Sequence, residues 1–298
     1  LIADFAILTL GATMVSLNTW ATQRELEYML DHSCAVALVM VDEFAGTDYV
    51  ANLSSLVGGG VLPDLKHIVR VDSSQRPLAR SRTWSEVLAL GEGASDEAVV
   101  AARDAVTADD VAYLLYTSGS TSTPKGVLIQ HFPLVRNMWD IGERLRLQVG
   151  DRLWLAVSLF WGLGCENALF AAMTHAATIV LQKQFSASEA IRLIDIEQCT
   201  VIYATPNMVH AIAQDGTYTP GCLDTLRTGV TIGTPEQVTA LARMGPGEIC
   251  NVYGLTETYG NCAVTDARDS LELRSTSVGK PLPGFELMIV DPESGVEL

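Results

Sequence analysis

Apolar runs of strand length alternate with amphipathic runs of helical period along most of the chain. The opening, LIADFAILTLGATMVSLNTW, is a long uncharged stretch interrupted by Thr, Ser, Asn and Gly. It has no basic segment before it, so it reads as a core helix running into a strand rather than a signal peptide or membrane span. Thr22 to Glu25 has the spacing of a capping box and predicts a helix through Leu30, followed by a buried strand, CAVALVMV, over 34–41. KHIVRV (66–71) is a second strand, with Gly58-Gly59-Gly60 marking a loop before it, and Thr83 to Glu86 caps another short helix. Gly, Ser, Ala and acidic residues collect around 92–110 and suggest a boundary there.

VAYLL (111–115) then reads as a central buried strand, followed by the strand GVLIQ (126–130), a helix near Pro133–Leu147 and the strand LWLAV (153–157). Ser186 caps a helix to about Gln198 that leads to TVIYA (200–204). Thr234-Pro235 opens a helix with proline at its first position, ahead of the strand EICNVY (248–253). Such alternation predicts an α/β fold, mostly parallel sheets covered by helices.

Composition narrows the function classes. The 298 residues are 48% hydrophobic and 18% charged, ordinary for a globular α/β protein. Lys+Arg 19 against Asp+Glu 35 gives a net charge of −16, which argues against a nucleic-acid or anionic-membrane surface. The six cysteines form no C-x-x-C pair. They read as reduced, mostly buried thiols of a cytoplasmic protein, without a structural zinc.

Against this acidic background, YTSGSTSTPKG (116–126) stands out. Residues 117–123 are Thr, Ser or Gly throughout, closed by Pro124, Lys125 and Gly126. Small side chains, free amides, hydroxyl donors and one ammonium suit polyphosphate oxygens; a solvated Ser/Thr loop is the plain alternative. It is not Walker A, because Pro124 and Gly126 flank the lysine, and G-x-G-x-x-G is absent.

Two other segments fall at strand ends, where open α/β sheets bind ligands. NVYGLTETYG (251–260) offers Tyr253, Gly254, Thr256 and Glu257: a ring for a purine, a hydroxyl for a phosphate and a carboxylate for a hard cation such as Mg²⁺. Its plain reading is a helix N-terminus capped by Thr256. TGVTIG (228–233) supplies further glycines at a strand end.

TSGSTSTPKG followed at a distance by YGLTE resembles the adenylate-forming superfamily of acyl- and aryl-CoA synthetases, peptide-synthetase adenylation domains and luciferases. The opening ILTLGATMVSLN, SLFWGLG (158–164), YATPNMVHAI (203–212) and SVGKPLPGFELMIVDPESGVEL (277–298) fall in that family's order. The resemblance implies an acetyl-CoA-synthetase-like N-terminal domain. Its subdomains would span 1–150 and 151–275, with 276–298 opening a third.

The resemblance also implies roles. Thr117, Ser118, Gly119, Ser120, Thr121, Ser122, Thr123, Pro124 and Lys125, up to Gly126, would wrap the β- and γ-phosphates of ATP. Gly229, Val230 and Thr231 would border the adenine, and Tyr253, next to Gly254, would stack on it. Thr256 would contact the α-phosphate, Glu257 would ligate Mg²⁺, and Trp161 and Gly164 would line the acyl pocket. Lys125, Thr256 and Glu257 would carry the chemistry: a carboxylic acid is activated to its adenylate and passed to coenzyme A.

Ser122 stands where the family most often has glycine, and Trp161 where histidine is common, as pocket wall or as core packing. The chain reads as cut at both ends. The ribose-binding aspartate, hinge and C-terminal domain with its catalytic lysine would lie beyond Leu298. Among the histidines only His131 falls near the phosphate loop; the others read as surface or satisfied core. A non-catalytic nucleotide-binding module and a peptide-synthetase adenylation domain are the alternative readings.

Overall fold

The computed structural model describes residues 1–72, 76–117 and 123–298. The chain divides into two compact units, Leu1–His131 and Phe132–Leu298.

In the first unit the helix Ile2–Thr9 leads into the strand Met14–Ser16, as the opening apolar stretch predicts. That strand pairs in parallel with Val111–Thr117, whose other edge takes Lys125–Gln130 antiparallel. A second sheet runs Ala37–Met40, His67–Arg70, Ser81–Thr83, all parallel. The helices Gln23–His32 and Tyr49–Gly58 bring Leu26, Leu30, Leu53 and Leu56 to a common core with Leu65 and Ile68. Each such side chain contributes about 1.5–3 kcal/mol by leaving water.

The capping boxes form as the spacing requires. Thr22 Oγ1 accepts from the Glu25 amide at 3.3 Å, and Glu25 Oε2 accepts from the Thr22 amide at 2.8 Å. Thr83 and Glu86 repeat the arrangement at the head of Trp84–Gly91.

Two expectations change. The strand expected over 34–41 is only Ala37–Met40, and it lies at the sheet edge with Ala37 and Val39 exposed. The 92–110 region carries a helix, Asp96–Ala105, none of whose residues is buried.

The second unit is built on a seven-stranded sheet in the order Thr178–Leu181, Arg152–Leu155, Val201–Tyr203, Thr228–Thr231, Glu248–Tyr253, Ala263–Val264, Lys280–Pro281. The first five run parallel; each of the last two pairs antiparallel with the strand before it. Helices Ala187–Ile196, Pro206–Gln214 and Pro235–Met244 pack Ile194, Ile212, Val238 and Leu241 with Trp154, Ile202 and Ile249 of the sheet. Pairing is therefore mostly parallel. The parallel strands all present their C-terminal ends at one edge, so Leu155, Tyr203, Thr231 and Tyr253 lead into neighbouring loops. All six cysteines are free, four of them buried. No helix among the described residues is long and apolar enough to cross a membrane.

Candidate active site

In the first unit the Ser/Thr segment connects two antiparallel strands, with Thr117 opposite Lys125 and Tyr116 opposite Gly126. Ser118, Gly119, Ser120, Thr121 and Ser122 lie outside the described residues. Its shoulders are held from the helix Gln23–His32. The Tyr28 hydroxyl donates to the Pro124 carbonyl at 3.2 Å, and the Tyr116 hydroxyl to the Met29 carbonyl at 3.2 Å. His32 Nδ1 is hydrogen-bonded to the Tyr116 hydroxyl at 2.9 Å, and its ring stacks on Tyr28 with centroids 5.2 Å apart. Burial pushes the Tyr116 phenol up to about 12, so it stays a neutral donor. His131 is therefore not alone beside this segment: His32 braces its first shoulder. Lys125 and Thr123 are exposed.

In the second unit the strand-end segments resolve into distinct environments. Gly229 has φ +152, and a Cβ there would collide with the Ile202 carbonyl of the adjacent strand. Val230 and Thr231 are buried within the sheet; the segment first reaches solvent at Ile232. Tyr253 ends its strand with half its surface exposed. At Gly254 the chain doubles back so closely that a Cβ would meet the Gly260 carbonyl and Asn261.

Thr256–Thr258 is a single 3₁₀ turn. Thr258, not Thr256, serves its backbone: the Thr258 hydroxyl accepts from the Leu255 amide and donates to the Leu255 carbonyl, both at 2.9 Å. The expected Thr256 cap is absent, and the Thr256 hydroxyl makes no hydrogen bond among the described residues. Glu257 is exposed and joins none of their ion pairs. Asn137 holds this turn by donating to the carbonyls of Tyr259 and Asn261, each at 2.8 Å.

After the strand Arg152–Leu155 the chain turns through Trp161 into a π-helix, Leu163–Leu169, a rare geometry that recurs at functional sites. Trp161 is 44% exposed, which removes the core-packing reading, and it meets Phe160 edge to face at 5.7 Å. Gly164 is buried; a Cβ there would stand 2.5 Å from the Ser158 carbonyl oxygen.

Sequence reading missed Glu166 in this π-helix. It is fully buried, and neither carboxyl oxygen has a hydrogen-bond partner among the described residues. Desolvation first, and the nearby Glu257 charge second, push its carboxyl up to about 8. The signal available was a lone acid inside the apolar run WGLGCENALF. Its neighbour Asn167 is instead fully engaged: it accepts from the Tyr203 hydroxyl at 2.9 Å and donates to the Asn261 side chain.

The sequence profile described as AMP-binding enzyme matches residues 1–298, the whole chain. The chain belongs to the AMP-binding enzyme family. It is 31% identical over 299 residues to acyl-CoA ligase SID4 of Ajellomyces capsulatus, covering 98% of this chain and 50% of that protein. It is 29% identical over 306 residues to the mitochondrial medium-chain acyl-CoA ligase ACSF2 of Rattus norvegicus, covering 96% and 49%. The chain thus spans about half the length of these curated relatives. Among solved structures, the anthranilate CoA ligase AuaEII in complex with anthranoyl-AMP superposes with a TM-score of 0.82 at 24% identity, over 99% of this chain and 55% of that one. That likeness shows the fold.

In this AMP-binding enzyme chain, the donor set around Glu257 suits a hard divalent cation. Mg²⁺ favours one or two carboxylates, waters and substrate phosphates over an all-protein cage. Glu257 supplies an exposed, unpaired carboxylate. No group of three or more His, Cys, Asp or Glu among the described residues could hold a metal by itself.

Proposed function

We propose that this chain carries the acid-activating half of an acyl-CoA synthetase. A carboxylate attacks the α-phosphorus of ATP, the bond to the β-phosphate oxygen breaks, and pyrophosphate leaves an acyl-adenylate. The thiol of coenzyme A then attacks the acyl carbon and displaces AMP. The observation that carries this reading is the strand end Tyr253–Glu257: an exposed ring, a hydroxyl the fold does not use and an unpaired carboxylate within five residues. The SID4 and ACSF2 relationships support the acid–thiol ligase class.

Tyr253 presents a ring face for the adenine, in keeping with the stacking that aromatic side chains offer bases. The Thr256 hydroxyl is available to donate to an α-phosphate oxygen. Lys125 and the hydroxyls of 117–123 supply positive and hydrogen-bonding character for the β- and γ-phosphates. Mg²⁺, held at Glu257, would neutralise phosphate charge. No general base is required, because a carboxylic acid is already ionised near neutral pH. The protein's work is placement and charge neutralisation. Trp161 and Gly164 belong to the acyl pocket in this reading, and Gly229–Thr231 to the adenine side.

Acid-dependent exchange of pyrophosphate into ATP by the full-length protein tests this directly. The reading fails if short, medium, long and aromatic acids all leave exchange at background. Lys125→Ala should slow exchange about 100-fold with an unchanged melting temperature; an unchanged rate would remove the Ser/Thr segment from the mechanism.

A further inference from the structure

The described residues contain four buried acids, and three have obvious partners. Asp42 is paired with the Arg70 guanidinium, Asp151 with Arg227 and the Thr200 hydroxyl, and Asp4 with the Tyr113 hydroxyl. Glu166 alone has none on either oxygen. A buried carboxyl without hydrogen-bond partners is costly, and folds normally remove it. The surroundings are not loosely built, since the adjacent Asn167 is tied to Tyr203 and Asn261.

The position of Glu166 explains what it waits for. Its Oε2 lies over the bare α-carbon of Gly162, where a Cβ would collide with it, and Thr256 Oγ1 stands 3.8 Å from that same point. The carboxyl and the Thr256 hydroxyl therefore flank one glycine face. The charge acting on Glu166 is another carboxylate, Glu257. With Glu257 given to Mg²⁺ in the reading above, what Glu166 itself still lacks is a hydrogen-bond donor carried in from outside. A hydroxyl donates once; an ammonium can donate to both oxygens and favours the ionised carboxyl that burial disfavours.

We propose that Glu166 recognises an amine on the carboxylic acid this enzyme activates, placed two or three bonds from the reacting carboxylate. The inference rests on the adenylation reading above, which puts the reacting carboxylate beside Thr256. Proximity of Glu166 to that hydroxyl then fixes the amine near the acid group rather than at the far end of the chain. A site built around a polar substrate group rejects analogues that lack it strongly, because the protein group is left unpaired.

Pyrophosphate exchange by the full-length protein, over propanoate, hexanoate and 3-phenylpropanoate, each plain, 3-hydroxylated, 2-aminated and 3-aminated, is the test. Wild type should prefer an aminated acid over its plain counterpart by about 100-fold or more in kcat/KM. In Glu166→Gln that ratio should fall at least tenfold. Gly162→Ala, whose methyl displaces the carboxyl, should lower the same ratio. Plain acids preferred by wild type, or an unchanged ratio in a folded Glu166→Gln, would overturn amine recognition while leaving adenylation intact. If Glu166→Gln does not fold, the wild-type ratio alone decides. Exchange with none of the acids would overturn the adenylation reading instead.

Discussion

Asp42 in the first unit and Glu166 in the second are both buried acids, yet the chain treats them oppositely. Asp42 receives a two-pronged contact from Arg70, with Nε at 2.7 Å, and Arg70 also donates to the Arg76 carbonyl at 2.6 Å. Glu166 receives nothing. Asp42 knits strands together: it lies just past Met40, and Arg70 ends the neighbouring strand. Glu166 lies in a π-helix that follows the strand Arg152–Leu155 of the other sheet. A paired buried acid answers a structural need. An unpaired one at a strand-end loop answers to something the fold does not contain.

That contrast can be broken in graded steps. The largest effect is expected at the pair. Arg70→Met strands a buried carboxylate and should lower unfolding free energy by about 3–5 kcal/mol in urea titration; a loss below 1 kcal/mol would show the pair to be dispensable. Next comes the satisfied neighbour of Glu166. Asn167→Leu leaves the Tyr203 hydroxyl and the Asn261 side chain short of a partner, and should cost about 1–3 kcal/mol by the same titration. The smallest effect is at the surface: Thr22→Ala removes a cap and should cost about 1 kcal/mol. An equal cost at all three positions would dissolve the distinction between buried and exposed polar contacts.

Local chemistry was legible in the sequence and long-range burial was not. The caps at Thr22, Thr83 and Ser186 depend on residues three apart, and all three form. The strand and helix alternation of the second unit was equally clear, because buried parallel strands read as continuous apolar runs. Ala37–Met40 was overdrawn because an edge strand keeps the composition of a buried one while exposing every other residue. Asp96–Ala105 was missed because its Ala-rich, acidic surroundings read as a boundary, although Ser95 as cap with Asp96 and Glu97 in the first turn was a usable sign. The YGLTE segment could be read as chemistry, but not that Thr258 relieves Thr256 of capping, which depends on the turn geometry. Glu166 was visible only as an odd letter in an apolar run. Its isolation is a property of what surrounds it in space.

The stability of Glu166→Gln relative to wild type, followed from pH 5 to pH 9 without ligands, tests most directly whether Glu166 is held without a structural partner. Burial raises its folded-state pKa from 4.5 to about 8, so the folded protein keeps a proton that the unfolded chain releases. The stability from this group is fully present below pH 4.5 and is lost as pH rises towards 8. Glutamine cannot ionise. The variant should therefore gain on wild type by a few kcal/mol between pH 5 and pH 9, and be the more stable protein at pH 9. A variant less stable than wild type by a constant amount across that range would contradict the account, because it would mean that the fold itself supplies Glu166 with a partner.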